Sequence, residues 1–99
     1  MDNDIKTDLK NAKNEYYSKN YEKSLKLFEE LYNRNSQDFN KYDLISYCWA
    51  IYQVHVKDYK DEDELFDAAD LITSLITQYD LNYSILAYIH LKHSRFLII

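Results

Sequence analysis

Three kinds of residue in this 99-residue chain could do chemistry: one cysteine, three histidines and a dense run of carboxylates. To act as a nucleophile, Cys48 would need a neighbouring base and a cation or helix N-terminus to stabilise its thiolate. It lies instead between Tyr47 and Trp49 in an apolar stretch, where a small buried hydrophobe belongs. His90 and His93 stand three apart and could share a helix face. A zinc site takes at least three protein ligands, and nothing in the spacing supplies the third. His55 stands alone. From Asp58 to Asp70, seven carboxylates face the single Lys60. A calcium loop of the EF-hand kind needs alternating ligands and a glycine at its turn, and neither is present. Asp61-Glu62-Asp63-Glu64 reads instead as a helix start: a capping residue with Glu three positions later, and carboxylates where the helix dipole favours them. The expectation is a chain with no catalytic residue, no metal and no cofactor.

Composition narrows the setting further. The chain contains no glycine and no proline, where average usage is about 7% and 5%. That excludes glycine-rich phosphate loops, dinucleotide fingerprints and tight Asn-Gly hairpins, and leaves helices joined by polar turns. Net charge is 12 − 17 = −5. Such a balance argues against direct nucleic-acid binding, which draws on clustered Lys and Arg, and favours a basic partner surface. A single cysteine cannot form an internal disulfide, and no apolar N-terminal stretch resembles a signal peptide. A reducing, cytoplasmic setting is expected. The apolar end Phe96-Leu97-Ile98-Ile99 is far too short to span a membrane.

Hydrophobic spacing divides the chain into five helical segments. Ile5, Leu9, Ala12 and Tyr16 form the stripe of a helix over about residues 3 to 18. Asn20 is the expected cap of the second, whose stripe is Tyr21, Ser24, Leu25, Phe28, Leu31 and Tyr32; a link this short packs the two antiparallel. Asn40 is the expected cap of the third, Lys41 to Lys57. It is apolar on two sides, with Ile45, Cys48, Trp49 and Tyr52 on one and Leu44, Tyr47, Ile51 and Val54 on the other, as suits a central helix. Leu65, Ala68, Ala69, Ile72, Leu75, Ile76 and Tyr79 stripe the fourth, and Tyr83 to about Phe96 reads as a fifth, apolar nearly all round.

A pattern recurs within these segments. Tyr42-x-x-Ile45-Ser46-x-x-Trp49 and Tyr83-x-x-Leu86-Ala87-x-x-His90 share aromatic, aliphatic, small and ring positions, and Leu9-x-x-Ala12-Lys13-x-x-Tyr16 matches more loosely. Ser24-x-x-x-Phe28-x-x-Leu31 and Ala68-x-x-x-Ile72-x-x-Leu75 supply a matching small-large-apolar spacing in the second helices. Together these resemble a degenerate tetratricopeptide repeat (TPR). The starts at Leu9 and Tyr42 are 33 apart, close to that family's usual period, whereas Tyr42 to Tyr83 is 41. Lys13, Ser46 and Ala87 stand where the family has glycine, and Ser36 where its closing proline is common.

The resemblance implies an all-α fold of antiparallel hairpins stacked as a short right-handed array of about five helices. It forms one domain over residues 1–99: a first pair at 3–35, a second at 40–80 and an unpaired helix at 82–99, expected to be part of a longer protein. It implies a non-catalytic protein-interaction or scaffolding module that receives a peptide or helix along the first helices of its pairs. Asn11, Tyr47, Tyr88 and Lys92 are the candidate groove residues. Tyr17, Tyr32, Tyr47, Tyr59 and Tyr88 fall off or at the edge of the core stripes, where they could line a surface. The unpartnered last helix suggests self-association of the homo-oligomer kind through Ile85, Ile89, Phe96 and Leu97 within residues 83–99. The alternative is a helical accessory or regulatory domain of a larger, nucleic-acid-processing protein.

Overall fold

The computed structural model describes residues 2–57 and 59–81, with side chains from Ile5 onward. Every regular element among the described residues is helical. The order is α1 (Asp2–Tyr17), α2 (Tyr21–Asn35), a short 3₁₀ turn (Ser36–Asp38), α3 (Lys41–Ile51) running on into a π-helical turn (Tyr52–Val56), and α4 (Glu62–Tyr79). The segment expected as a fifth helix, residues 82–99, lies outside the described residues. None of the described helices is long and apolar enough to cross a membrane.

The first hairpin closes where small residues meet. Ala12 and Ser24 are both fully buried, and the Ser24 hydroxyl donates to the Ala12 carbonyl at 2.7 Å. A backbone acceptor within reach of a side chain this short means that α1 and α2 approach closely, and the bond satisfies the one polar atom that the contact buries. Phe28 and Leu31, four and seven residues after Ser24, are buried too, as the spacing requires. The same small-large-apolar pattern on α4 is buried throughout: Ala68, Ile72 and Leu75. Phe28, Leu44, Ile51, Leu65, Ile72 and Ile76 are the largest of the fully enclosed apolar side chains. Each contributes about 1.5–3 kcal/mol by leaving water.

Helix starts are capped unequally. The Asn40 side chain accepts from the Asp43 N–H at 2.8 Å, and the Asp43 carboxylate accepts from the Asn40 N–H at 3.0 Å, which completes a reciprocal capping box at α3. Asp61 accepts from the Glu64 N–H at 2.8 Å and starts α4. Asn20 does not cap α2 as expected. Its side chain donates to Glu15 Oε1 at 2.9 Å, and its N–H bonds to the Glu15 carbonyl in closing α1.

That closure shows how a chain without glycine ends its helices. Lys19 adopts φ 67°, and Asp80 adopts φ 53°. With Lys19 left-handed, its N–H reaches the Tyr16 carbonyl and that of Asn20 reaches Glu15, the paired bonds of a Schellman motif. Asp80 allows the Leu81 N–H to reach the Ile76 carbonyl, and Leu81 is buried against the core that it re-enters. Both helix ends are therefore closed by specific backbone bonds, at the cost of a left-handed conformation that glycine adopts freely. Lys19→Gly should raise stability by about 1 kcal/mol, and Asp80→Gly by less, because a short polar side chain tolerates the region better. Thermal melting of both variants against the parent checks the gain and its order.

Candidate docking surface

The two hairpins meet mainly through α2 against α3, and side-chain bonds also join α1 to α3 and α2 to α4. Lys13 on α1 donates to Asp43 on α3, and Gln53 in the π turn lies 3.4 Å from the Tyr16 hydroxyl. On the other side, the Tyr32 and Tyr79 hydroxyls, at the C-terminal ends of α2 and α4, are 3.0 Å apart. Burial, with the bond to Tyr79 next in weight, pushes the Tyr32 hydroxyl up to about 12, so it stays protonated.

Along the α1/α3 side a small pocket of about 70 Å³ opens between Lys13, Tyr16, Tyr17, Ser46 and Trp49. Tyr16 packs edge-on against Tyr17 and Tyr21, with ring centres 5.7 and 5.1 Å away. Tyr17 is 76% exposed and Tyr42 is 77% exposed, the two most open large aromatics among the described residues. Tyr42, Ser46 and Trp49 succeed one another at four and three residues, so they form one stripe of α3 beside the pocket. Tyr42, which opens the recurring pattern on this helix, therefore faces outward. The buried side of α3 is instead Asp43, Leu44, Tyr47, Cys48, Ala50 and Ile51.

The two sequence-derived groove residues that fall among the described residues, Asn11 and Tyr47, do not come together. Asn11 is exposed on a different face of α1, beside Asp8, Asn14 and Leu27 of α2. Tyr47 is not a surface residue. It is only 4% exposed, stacked on Phe28 at 6.0 Å with Tyr32 and Phe39 at 5.3 and 6.3 Å. The reason is that α3 carries apolar residues on two sides, and α2 covers the side with Leu44, Tyr47 and Ile51. Burial holds the Tyr47 hydroxyl well above the usual tyrosine range. Tyr88 and Lys92, and the self-association residues Ile85, Ile89, Phe96 and Leu97, lie outside the described residues.

Cys48 is fully buried, and burial pushes its thiol up to about 12, so it carries no thiolate at neutral pH. No group of three or more His, Cys, Asp or Glu side chains among the described residues could hold a metal ion.

His55, unassigned by sequence spacing, sits in the π turn with its Nδ1 at 2.8 Å from Glu64 Oε1, tying the end of α3 to the first turn of α4. The π turn is closed by the Lys57 N–H reaching the Tyr52 carbonyl. A 3.6-residue periodicity cannot reveal this contact, since the π turn advances the side chains out of that register.

Comparison with protein-family models, curated proteins and solved structures gives no match.

Two measurements check this geometry. Tyr47→Ala should cost about 3 kcal/mol or more, as large aromatic truncations in a core do, while Tyr17→Ala should stay within about 0.5 kcal/mol. Chemical denaturation of the two variants measures the contrast. The bond to His55 lowers the Glu64 pKa below 4.5, and bonds from Asn20 and then Lys23 lower that of Glu15. A depressed folded pKa contributes stability that is complete above the unfolded value and lost as pH falls through the folded one. Denaturation midpoints should therefore decline as pH falls below about 4.5. In Glu64→Gln part of that decline should disappear.

Proposed function

We propose that this chain is a non-catalytic protein-interaction module of the tetratricopeptide-repeat type, with the α1/α3 side as its docking face. The observation that carries the reading is the exposure of Tyr17 and Tyr42, each about three-quarters open, on the two first helices of the hairpins. A tyrosine left in water on a helix contributes little to folding, yet offers a rigid ring and a hydroxyl to a partner. Trp49 and the small pocket beside Tyr16 and Tyr17 extend the face, giving an apolar side chain somewhere to insert.

The arrangement of the hairpins supports the family reading. α1 and α2 run antiparallel across the Ala12–Ser24 contact, and α3 and α4 do so across the His55–Glu64 contact. First helices contact through Lys13 and Asp43, and second helices through Tyr32 and Tyr79. Successive helix pairs laid down in the same sense are what a repeat array requires.

Selection of a random-peptide display library on the purified domain tests the reading. Peptides recovered on the parent should bind Tyr17→Ala/Tyr42→Ala at least about tenfold more weakly, since loss of a central aromatic anchor costs 1.4 kcal/mol or more. Circular dichroism should be unchanged, because both residues lie outside the core. Peptides that bind the double variant as tightly as the parent would sink the assignment of this face.

A further inference from the structure

We infer that the α1/α3 face docks on the α4 groove of a second copy of this chain, so that copies associate head to tail. The inference rests on the α1/α3 side being a docking face and names its occupant.

Charge and spacing on the two surfaces match. On α1, Lys6, Lys10 and Tyr17 share the stripe of Lys13, which borders α3. On α4, Asp63, Asp67 and Leu71 recur at steps of four. Four residues rise about 6 Å on any α-helix. Laid side by side in the same direction, the helices set Lys6 against Asp63 and Lys10 against Asp67. The Tyr17 ring, leaning toward the helix N-terminus as helical side chains do, then falls at the level of Leu71.

Both stripes are available for such a contact. Lys6, Lys10, Asp63 and Asp67 are exposed and make no hydrogen bond or ion pair among the described residues. Lys13 is already spent on Asp43. Asp63 and Asp67 also line a groove of about 470 Å³, whose opposite wall carries Glu29 from α2 and whose far end is Leu71, 38% exposed. Helix capping does not account for this wall. Asp67 lies beyond the first turn of α4, and Glu29 is mid-helix in α2. Apart from the His55–Glu64 pair, the groove thus presents carboxylates with no cationic partner among the described residues next to an exposed aliphatic side chain, and the α1 stripe presents ammonium groups with no anionic partner among the described residues next to an exposed aromatic one. Because the docking stripe and the receiving groove are different surfaces, the contact is heterologous, and a docked copy still offers a free groove or stripe to a third.

Sedimentation velocity of the 99-residue chain over a range of concentrations tests this. At low salt the mean mass should rise with concentration beyond that of a dimer, and it should fall back as salt screens the charges. Lys6→Glu/Lys10→Glu and Asp63→Lys/Asp67→Lys should each be monomeric alone and associate when mixed, since each supplies the surface that the other lacks. Tyr17→Ala should weaken association without changing any charge. A monomer under all conditions, an association indifferent to both charge reversals, or a mixture that fails to restore it would each overturn the inference. A monomeric chain that still selects Tyr17- and Tyr42-dependent peptides would overturn the self-association while leaving the docking face intact. Charge-dependent association with no peptide selected would overturn the peptide-binding reading of this face while leaving its docking on a second copy intact.

Discussion

Asp43 is the residue on which the assembly of the two hairpins depends. Its side chain is almost fully buried, and a lone carboxylate there would be costly to desolvate. Two partners make it tolerable. One oxygen accepts the Asn40 N–H and completes the cap of α3, while the other receives the Lys13 ammonium from α1. The same carboxylate therefore starts the third helix and fastens it to the first. Removing Lys13 would leave the cap in place but strand part of the charge. Removing the Asp43 side chain would cost the reciprocal half of the cap, leaving the Asn40 side chain on the residue-43 N–H, and would also undo the tie to Lys13.

Much of this architecture is legible in residue spacing, because the hairpin contacts obey ordinary helical periodicity. Ser24, Phe28 and Leu31 fall at four and three residues and are all buried, as are Ala68, Ile72 and Leu75. Asn40 and Asp61 cap the helices that their sequences announce. Spacing does not settle which side of α3 faces inward. Both sides are apolar, so Tyr47 and Trp49 are equivalent to a periodicity argument. The choice is made by a tertiary contact, the ring of Phe28 stacking on Tyr47. The proposed docking face is hidden from the sequence for the same reason: Tyr42 fits a core pattern by type and position, and only the rotation of α3 against α2 turns it outward.

The absence of glycine and proline has a local rather than a global effect. The chain does not lose helix termination; it moves the burden to residues less suited to it. Lys19 and Asp80 hold left-handed conformations, and after each a backbone N–H bonds back into the helix just ended. The two positions differ in the residue that comes next. After Lys19 the chain passes at once into α2 through the exposed Asn20, whereas after Asp80 Leu81 is buried. Strain at Asp80 is thus offset by apolar burial next to it, and strain at Lys19 is offset mainly by the two backbone bonds and the Asn20–Glu15 contact.

Polar pins and aromatic packing are not spread evenly along the interface between the hairpins. Tyr32 with Tyr79, Lys13 with Asp43 and the Phe28, Phe39 and Tyr47 rings all lie near the junction of α2 with α3. Toward the α1–α2 turn the hairpins stand apart. An open cleft of about 810 Å³ lies between Lys19, Tyr21 and Lys23 on one side and Gln53, Val54 and Lys60 on the other. The bond that spans it, from Gln53 to Tyr16, is long at 3.4 Å, and the Gln53 side-chain oxygen is buried without a partner among the described residues. A contact with one long hydrogen bond and one orphaned acceptor holds less firmly than one with a paired charge and stacked rings. The hairpins are therefore held tightly at one end and loosely at the other. Any opening between them will begin at the cleft and leave the Asp43 end joined. Tyr17 and Trp49 lie nearer the loose end than Tyr42 does. The proposed docking face therefore runs from a fixed part of the molecule to a looser one.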